Sequence, residues 1–114
     1  MSYRDLASFG KRQEYRIIAE LLNRNYDVYQ TLVDDQQIDC VIREGGITPN
    51  YVDVQIKARS KKCDPTNAAR FAGLKIENPR KNYFFIFYSE QLGKTWVIPS
   101  QDIVNEIDTK IDLC

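Results

Sequence analysis

The sequence predicts one small α/β or α+β domain, and three observations carry that expectation. Apolar residues near the N-terminus recur at helical spacing. Residues 51–57, Tyr-Val-Asp-Val-Gln-Ile-Lys, alternate strictly between apolar and polar. Residues 83–88 form a nearly continuous apolar run, followed by a turn and a second short apolar stretch. A chain of 114 residues suffices for one domain and not two, so 1–114 is read as a single unit. A chain of this length buries a sizeable core without disulfides.

The first element is a helix over residues 3–25. Ile17, Ile18, Leu21 and Leu22 fall at helical spacing and form its core stripe. Ala7 and Gly10 are small and allow close packing of the first turns. Glu14 lies three and four residues before Ile17 and Ile18, on the same face, whereas Glu20 lies off the stripe. An acid aligned with a buried stripe calls for a reason; a partner such as Arg12 or Arg16 is the plain alternative.

Residues 23–27 are a polar stop. Residues 28–33 read as a strand and 34–37, Asp-Asp-Gln-Gln, as a turn. Residues 38–43 are a second apolar strand carrying one acid, Asp39. Residues 44–50 hold Gly45, Gly46 and Pro49 and read as a hairpin connection. Residues 51–58 are then a third strand, antiparallel to the second. On it Val52, Val54 and Ile56 point one way, while Asp53, Gln55 and Lys57 point the other. The strand is half-buried, and its polar face sets a carboxylate, an amide and an ammonium in a row about 7 Å apart. Such a row on a rigid element suits an oxyanion or metal site, although alternation is also what an ordinary solvent-facing strand shows.

Residues 59–70 form a basic loop with Arg59, Lys61, Lys62 and Arg70. Residues 71–77 are a short strand or irregular, and 79–82 a turn. Residues 83–88 suit a central strand buried on both faces, so Tyr83, Phe84, Phe85 and Phe87 are read as core rather than as a base-stacking platform. Trp96 fits either role. Residues 91–94 turn the chain into a strand over 95–98. Pro99 and Ser100 start a helix, with Ser100 as N-cap, Asp102 in the first turn, and Ile103, Val104 and Ile107 as its apolar stripe.

Composition excludes several classes. Sixteen basic and sixteen acidic residues leave no net charge, so no bulk basic field points to nucleic acid, though a local patch would suffice. Three cysteines, Cys40, Cys63 and Cys114, with no histidine and no Cys-x-x-Cys pair, argue against zinc. Cys40 reads as a small core residue. The absence of a signal peptide and of a long apolar run predicts a cytoplasmic protein with reduced thiols.

Glu14, Asp39 and the Gln55-Ile56-Lys57 triplet together resemble the PD-(D/E)xK nuclease superfamily, the restriction-endonuclease-like fold, in its Gln-x-Lys variant. The resemblance covers residues 10–57, and the later hairpin and helix start are similar in order to small members. It implies an α/β fold with an αβββαβ core, a mixed central sheet flanked by helices. It implies a divalent cation, Mg²⁺ with Mn²⁺ as a substitute, and hydrolysis of phosphodiester bonds in DNA. By the resemblance Asp39 is the principal metal ligand, Gln55 offers its amide oxygen and Glu14 completes the set. Lys57 orients the attacking water and stabilises charge on the phosphate. Arg59, Lys61 and Lys62 suit contacts to the nucleic-acid backbone. Two positions depart from the family pattern. Ile38 stands where a proline is usual, and Gln55 replaces an acid and removes one negative charge. The alternative expectation is an inactive nuclease-fold module that binds nucleic acid or a protein partner. A domain this short is expected to work as a homodimer or with a partner.

Overall fold

The computed structural model describes residues 3–33, 36–62, 65–67, 76 and 78–103. The helix α1 spans Tyr3–Asn23. Phe9, Glu14 and Ile17 are buried, and Ile18 and Leu21 pack partly against the core. Leu22, expected in the stripe, is 53% exposed. The sheet under the helix accepts a narrower band than the periodicity marks. Gly10 meets nothing within 4 Å, so close packing is not its role. α1 stops where Tyr26 N–H donates to Leu21 O and Asn25 N–H to Leu22 O. Asn25 takes the left-handed conformation, φ 66°, that this paired-bond helix ending requires. Among the described residues no helix is long and apolar enough to cross a membrane.

Five strands follow: β1 Asp27–Gln30, β2 Cys40–Glu44, β3 Asn50–Arg59, β4 Tyr83–Ser89 and β5 Lys94–Pro99. They form one sheet in chain order. All neighbours are antiparallel except β3 and β4, which run parallel. The fold is thus α/β with a mixed sheet, as the residues and the resemblance together predict. The hairpin turns carry Gly45 at φ 91° and Gly93 at φ 62°, conformations open to glycine without steric cost. A parallel pair needs a crossover, and residues 60–82 supply it. Within it Pro65–Asn67 form a 3-10 turn. Of the expected element at 71–77 only Ile76 lies within the described residues.

The alternation of β3 separates two cores. Val52, Val54 and Ile56 join Ile17, Cys40, Ile42 and Ile86 beneath α1. On the opposite face Tyr83, Phe85 and Phe87 stack along β4, ring to ring at 5.1 and 5.8 Å. Ile38, Ile76, Trp96, Ile98 and Ile103 pack against them. β4 is therefore the central strand that its apolar run predicts, and Trp96 is a core-flanking residue. Ile103 closes the short helix α2, Ser100–Ile103; Val104 and Ile107 lie outside the described residues. Ser100 is fully buried. Its hydroxyl accepts from Arg80 N–H at 3.0 Å and donates to Arg80 O at 2.9 Å, so it ties the crossover to α2.

Strands β1 and β2 are both shorter than the sequence predicts, and this shortening creates the site. Thr31 leaves β1 and its hydroxyl lies 2.8 and 3.0 Å from the carbonyl oxygens of Ile38 and Asp39. β2 begins only at Cys40. Beyond that point, among the described residues, no strand pairs with β3 on its β2 side, which leaves a notch in the ladder at one end of the sheet.

Candidate metal and nucleic-acid site

Asp39 stands at the mouth of the notch. Its backbone N–H donates to Val54 O at 2.8 Å, and its carbonyl accepts from Thr31 N–H at 3.2 Å. Its carboxylate oxygen Oδ2 accepts the Ile56 N–H at 2.7 Å. The carboxylate thus takes a backbone donor that a longer β2 would have taken. It lies against the peptide joining Gln55 to Ile56. Asp39 and Gln55 are each only 3% exposed.

Gln55 supplies the second group. Among the described residues its Oε1 is buried with no hydrogen-bond partner. A buried amide oxygen left without a donor costs about 1–3 kcal/mol, so its retention asks for a ligand. A hard cation that prefers oxygen would satisfy it.

Glu14, on α1, is 8% exposed. Its partner is Lys11, one turn earlier, with Nζ 3.2 Å from Oε2, and neither Arg12 nor Arg16. Arg16 instead donates to Gln13 and lays its guanidinium 4.0 Å from the centre of the Tyr88 ring. The Glu14 carboxylate holds the Lys11 ammonium above its usual range, first by hydrogen bond and then by charge, and Asp39 adds to the effect. Burial pushes the Cys40 thiol up to about 12, with the Asp39 and Glu14 charges adding. Both carboxylates are thus in electrostatic reach of one lysine and one thiol. That thiol is an inert core group, as its place in an apolar strand predicts.

The row continues along β3. Lys57 lies two residues past Gln55 on the same face, about 7 Å on. It is half-buried and makes no ion pair among the described residues. Arg59 follows at the end of the strand, and Lys61 and Lys62 are exposed just beyond it. This loop is fastened where it is described. Glu90 Oε1 accepts Lys61 N–H, and Gln91 Nε2 donates to Lys61 O, both at 3.0 Å. Asp53 belongs elsewhere: it pairs with Arg80, whose guanidinium also covers the Tyr83 ring.

The sequence marks Glu14, Asp39, Gln55 and Lys57; the fold buries the first three, ties the Asp39 carboxylate to the backbone next to Gln55 and sets Lys57 on the same strand face as Gln55. Sequence reasoning misses three supporting residues. Lys11 had a legible signal, its three-residue spacing to Glu14. Thr31 and Tyr83 had none, because both act across the fold. The Tyr83 hydroxyl donates to Gln37 O at 2.5 Å. Gln37 is held at φ 57°, left-handed for a residue with a Cβ, two positions before Asp39. Tyr83→Phe should lower stability by about 0.5–1.5 kcal/mol, through the lost hydrogen bond. Urea unfolding measures this, and an unchanged midpoint would show that the anchor carries no load.

Among the described residues no group of three Asp, Glu, His or Cys side chains forms a metal cluster. The candidate donors, Glu14, Asp39 and Gln55, offer two carboxylates and one amide oxygen that has no partner among the described residues. That set is all oxygen, and it fits a hard divalent cation that keeps several waters.

No family model and no curated relative matches this chain. Among solved structures it is similar to a bacterial homing endonuclease, I-Ssp6803I, at a TM-score of 0.68 and 22% identity. The similarity spans 92% of this chain and 75% of that one. At this identity the likeness establishes a shared fold, one that a nuclease uses.

Proposed function

We propose that this chain is a metal-dependent nuclease of the PD-(D/E)xK type, with Gln55 in place of the usual acid, hydrolysing phosphodiester bonds in DNA. The observation that carries the reading is the buried Gln55 Oε1, without a partner among the described residues, one residue from the Ile56 N–H that the Asp39 carboxylate accepts. The fold shared with a homing endonuclease supports DNA as the substrate class.

Asp39, Gln55 and Glu14 would hold Mg²⁺, or Mn²⁺ in its place. When bound, the cation supplies charge neutralisation at the phosphoryl oxygen and lowers the pKa of a bound water. Asp39 is held rigid for this task by the Ile56 N–H and by the Thr31 clasp on its carbonyl. Lys57 projects from the same strand face and makes no ion pair among the described residues. Its ammonium is free to orient the attacking water and to stabilise the negative charge that grows on the phosphate. Arg59, Lys61 and Lys62 extend positive charge away from the site along the path of a phosphate backbone. A domain of this size reaches both strands of a duplex as a homodimer or with a partner.

The test is cleavage of linear, branched and single-stranded DNA in Mg²⁺, in Mn²⁺ and in EDTA. Cleavage that needs the divalent ion is expected. If neither cleavage nor divalent-ion binding occurs, the reading gives way to the inactive binding module.

A further inference from the structure

The ion pair between Lys11 and Glu14 places a cation where the proposed site needs to place another. Glu14 is buried, and its one ion-pair partner among the described residues is an ammonium 3.2 Å away. The Lys11 side chain is 60% exposed, so the lysine is the mobile member and the glutamate the fixed one. A compact ammonium on a flexible four-carbon stem can leave without disturbing the helix that carries it. Glu14 cannot, because α1 is packed through Ile17, three residues on.

We propose that Lys11 is the exchangeable cation of the site: it neutralises Glu14 until a divalent ion takes its place, and the released ammonium then grips a substrate phosphate. The inference rests on the nuclease reading and deepens it. Glu14 cannot serve the lysine and the metal fully at once, because two cations against one carboxylate repel each other. Once displaced, Lys11 remains on the exposed side of α1, one turn before Glu14. Any phosphate that enters the notch offers it a new anion. Lys11 therefore opposes metal loading in the empty protein and favours substrate binding in the loaded one. Metal and nucleic acid reinforce each other through one side chain, and by linkage the effect is reciprocal.

Two titrations on folded protein test this without reference to cleavage. The first measures Mn²⁺ affinity by electron paramagnetic resonance in wild type, Lys11→Met, Lys11→Arg, Arg12→Met and Asp39→Asn. Lys11→Met should bind Mn²⁺ about fivefold more tightly, the scale of one partly exposed ion pair. Lys11→Arg should stay near wild type. Arg12→Met removes the same charge one residue away and off the Glu14 face, and should also stay near wild type. The second measures binding of a short DNA duplex against salt, with and without Ca²⁺. Lys11→Met should lower the salt slope by about one in the loaded protein and by nothing in the metal-free protein. Unchanged or weaker Mn²⁺ binding in Lys11→Met, or equal slope losses with and without Ca²⁺, would overturn the inference while leaving the nuclease reading intact. Absence of any Mn²⁺ binding that depends on Asp39 would remove the nuclease reading itself, and this inference with it.

Discussion

Lys57→Ala should cut the cleavage rate by about 10²–10³-fold while divalent-ion affinity stays within about twofold of wild type. Asp39→Asn should abolish both. The contrast follows from where the two groups sit. In the proposed site Lys57 would contribute no oxygen to the cation and would meet only the reacting groups. Asp39 contributes a buried carboxylate, and its loss takes away half of the anionic charge of the donor set. Asparagine is the better replacement than alanine. Its side-chain oxygen can still accept the Ile56 N–H that Asp39 accepts at 2.7 Å. Alanine would orphan that buried donor and cost about 1–3 kcal/mol of stability on its own. Unfolding midpoints of both variants near wild type are needed before the rates are compared. If Lys57→Ala loses metal affinity as well, Lys57 is holding the site together rather than acting on the phosphate. If Asp39→Asn still cleaves in Mg²⁺, the catalytic centre lies elsewhere.

The parts of the fold that were legible are those with local causes. Alternation in 51–57 gives β3 and its two faces. Turn residues give both hairpins, and the unbroken run of 83–88 gives the buried central strand. The site residues on β3 were legible for the same reason, since Gln55 and Lys57 occupy one face by period alone. What failed has non-local causes. Leu22 has the right period for the core, but it is 53% exposed, outside the band that packs on the sheet. Ser100 has the right chemistry for a cap, but Arg80 brings a backbone donor and acceptor to its hydroxyl. β1 and β2 stop early because Thr31 turns its hydroxyl onto the carbonyls of Ile38 and Asp39, seven and eight residues along the chain. That early stop makes the notch. The candidate site was thus visible as a list of residues, whereas its shape depends on contacts that no local pattern records.

Gln55→Glu should destabilise the metal-free protein by up to about 3.7 kcal/mol at pH 7, and divalent ions should reverse the loss. In the proposed site a third carboxylate would be buried with those of Asp39 and Glu14, and neither burial nor like charge favours its ionised form. Lys11 already serves Glu14 and cannot neutralise both. The new carboxyl will therefore take up a proton. The cost is limited to the free energy of protonating a group whose pKa in the unfolded chain is near 4.3. The sign with pH is fixed. The folded protein binds the proton more tightly than the unfolded chain, so the penalty is absent below about pH 4 and grows as pH rises. Adding Mg²⁺ or Mn²⁺ changes the balance, because a third anionic oxygen binds a hard cation better than an amide oxygen does. The variant should therefore gain more stability from the ion than wild type does, by an amount that increases with ion concentration over its dissociation constant. Thermal unfolding at pH 5 and pH 8, with EDTA and with Mn²⁺, measures all four states. A variant as stable as wild type at pH 8 in EDTA would mean that the Gln55 side chain is solvated and does not face the carboxylates. A destabilised variant that ions fail to rescue would mean that the three groups share a pocket without sharing a cation.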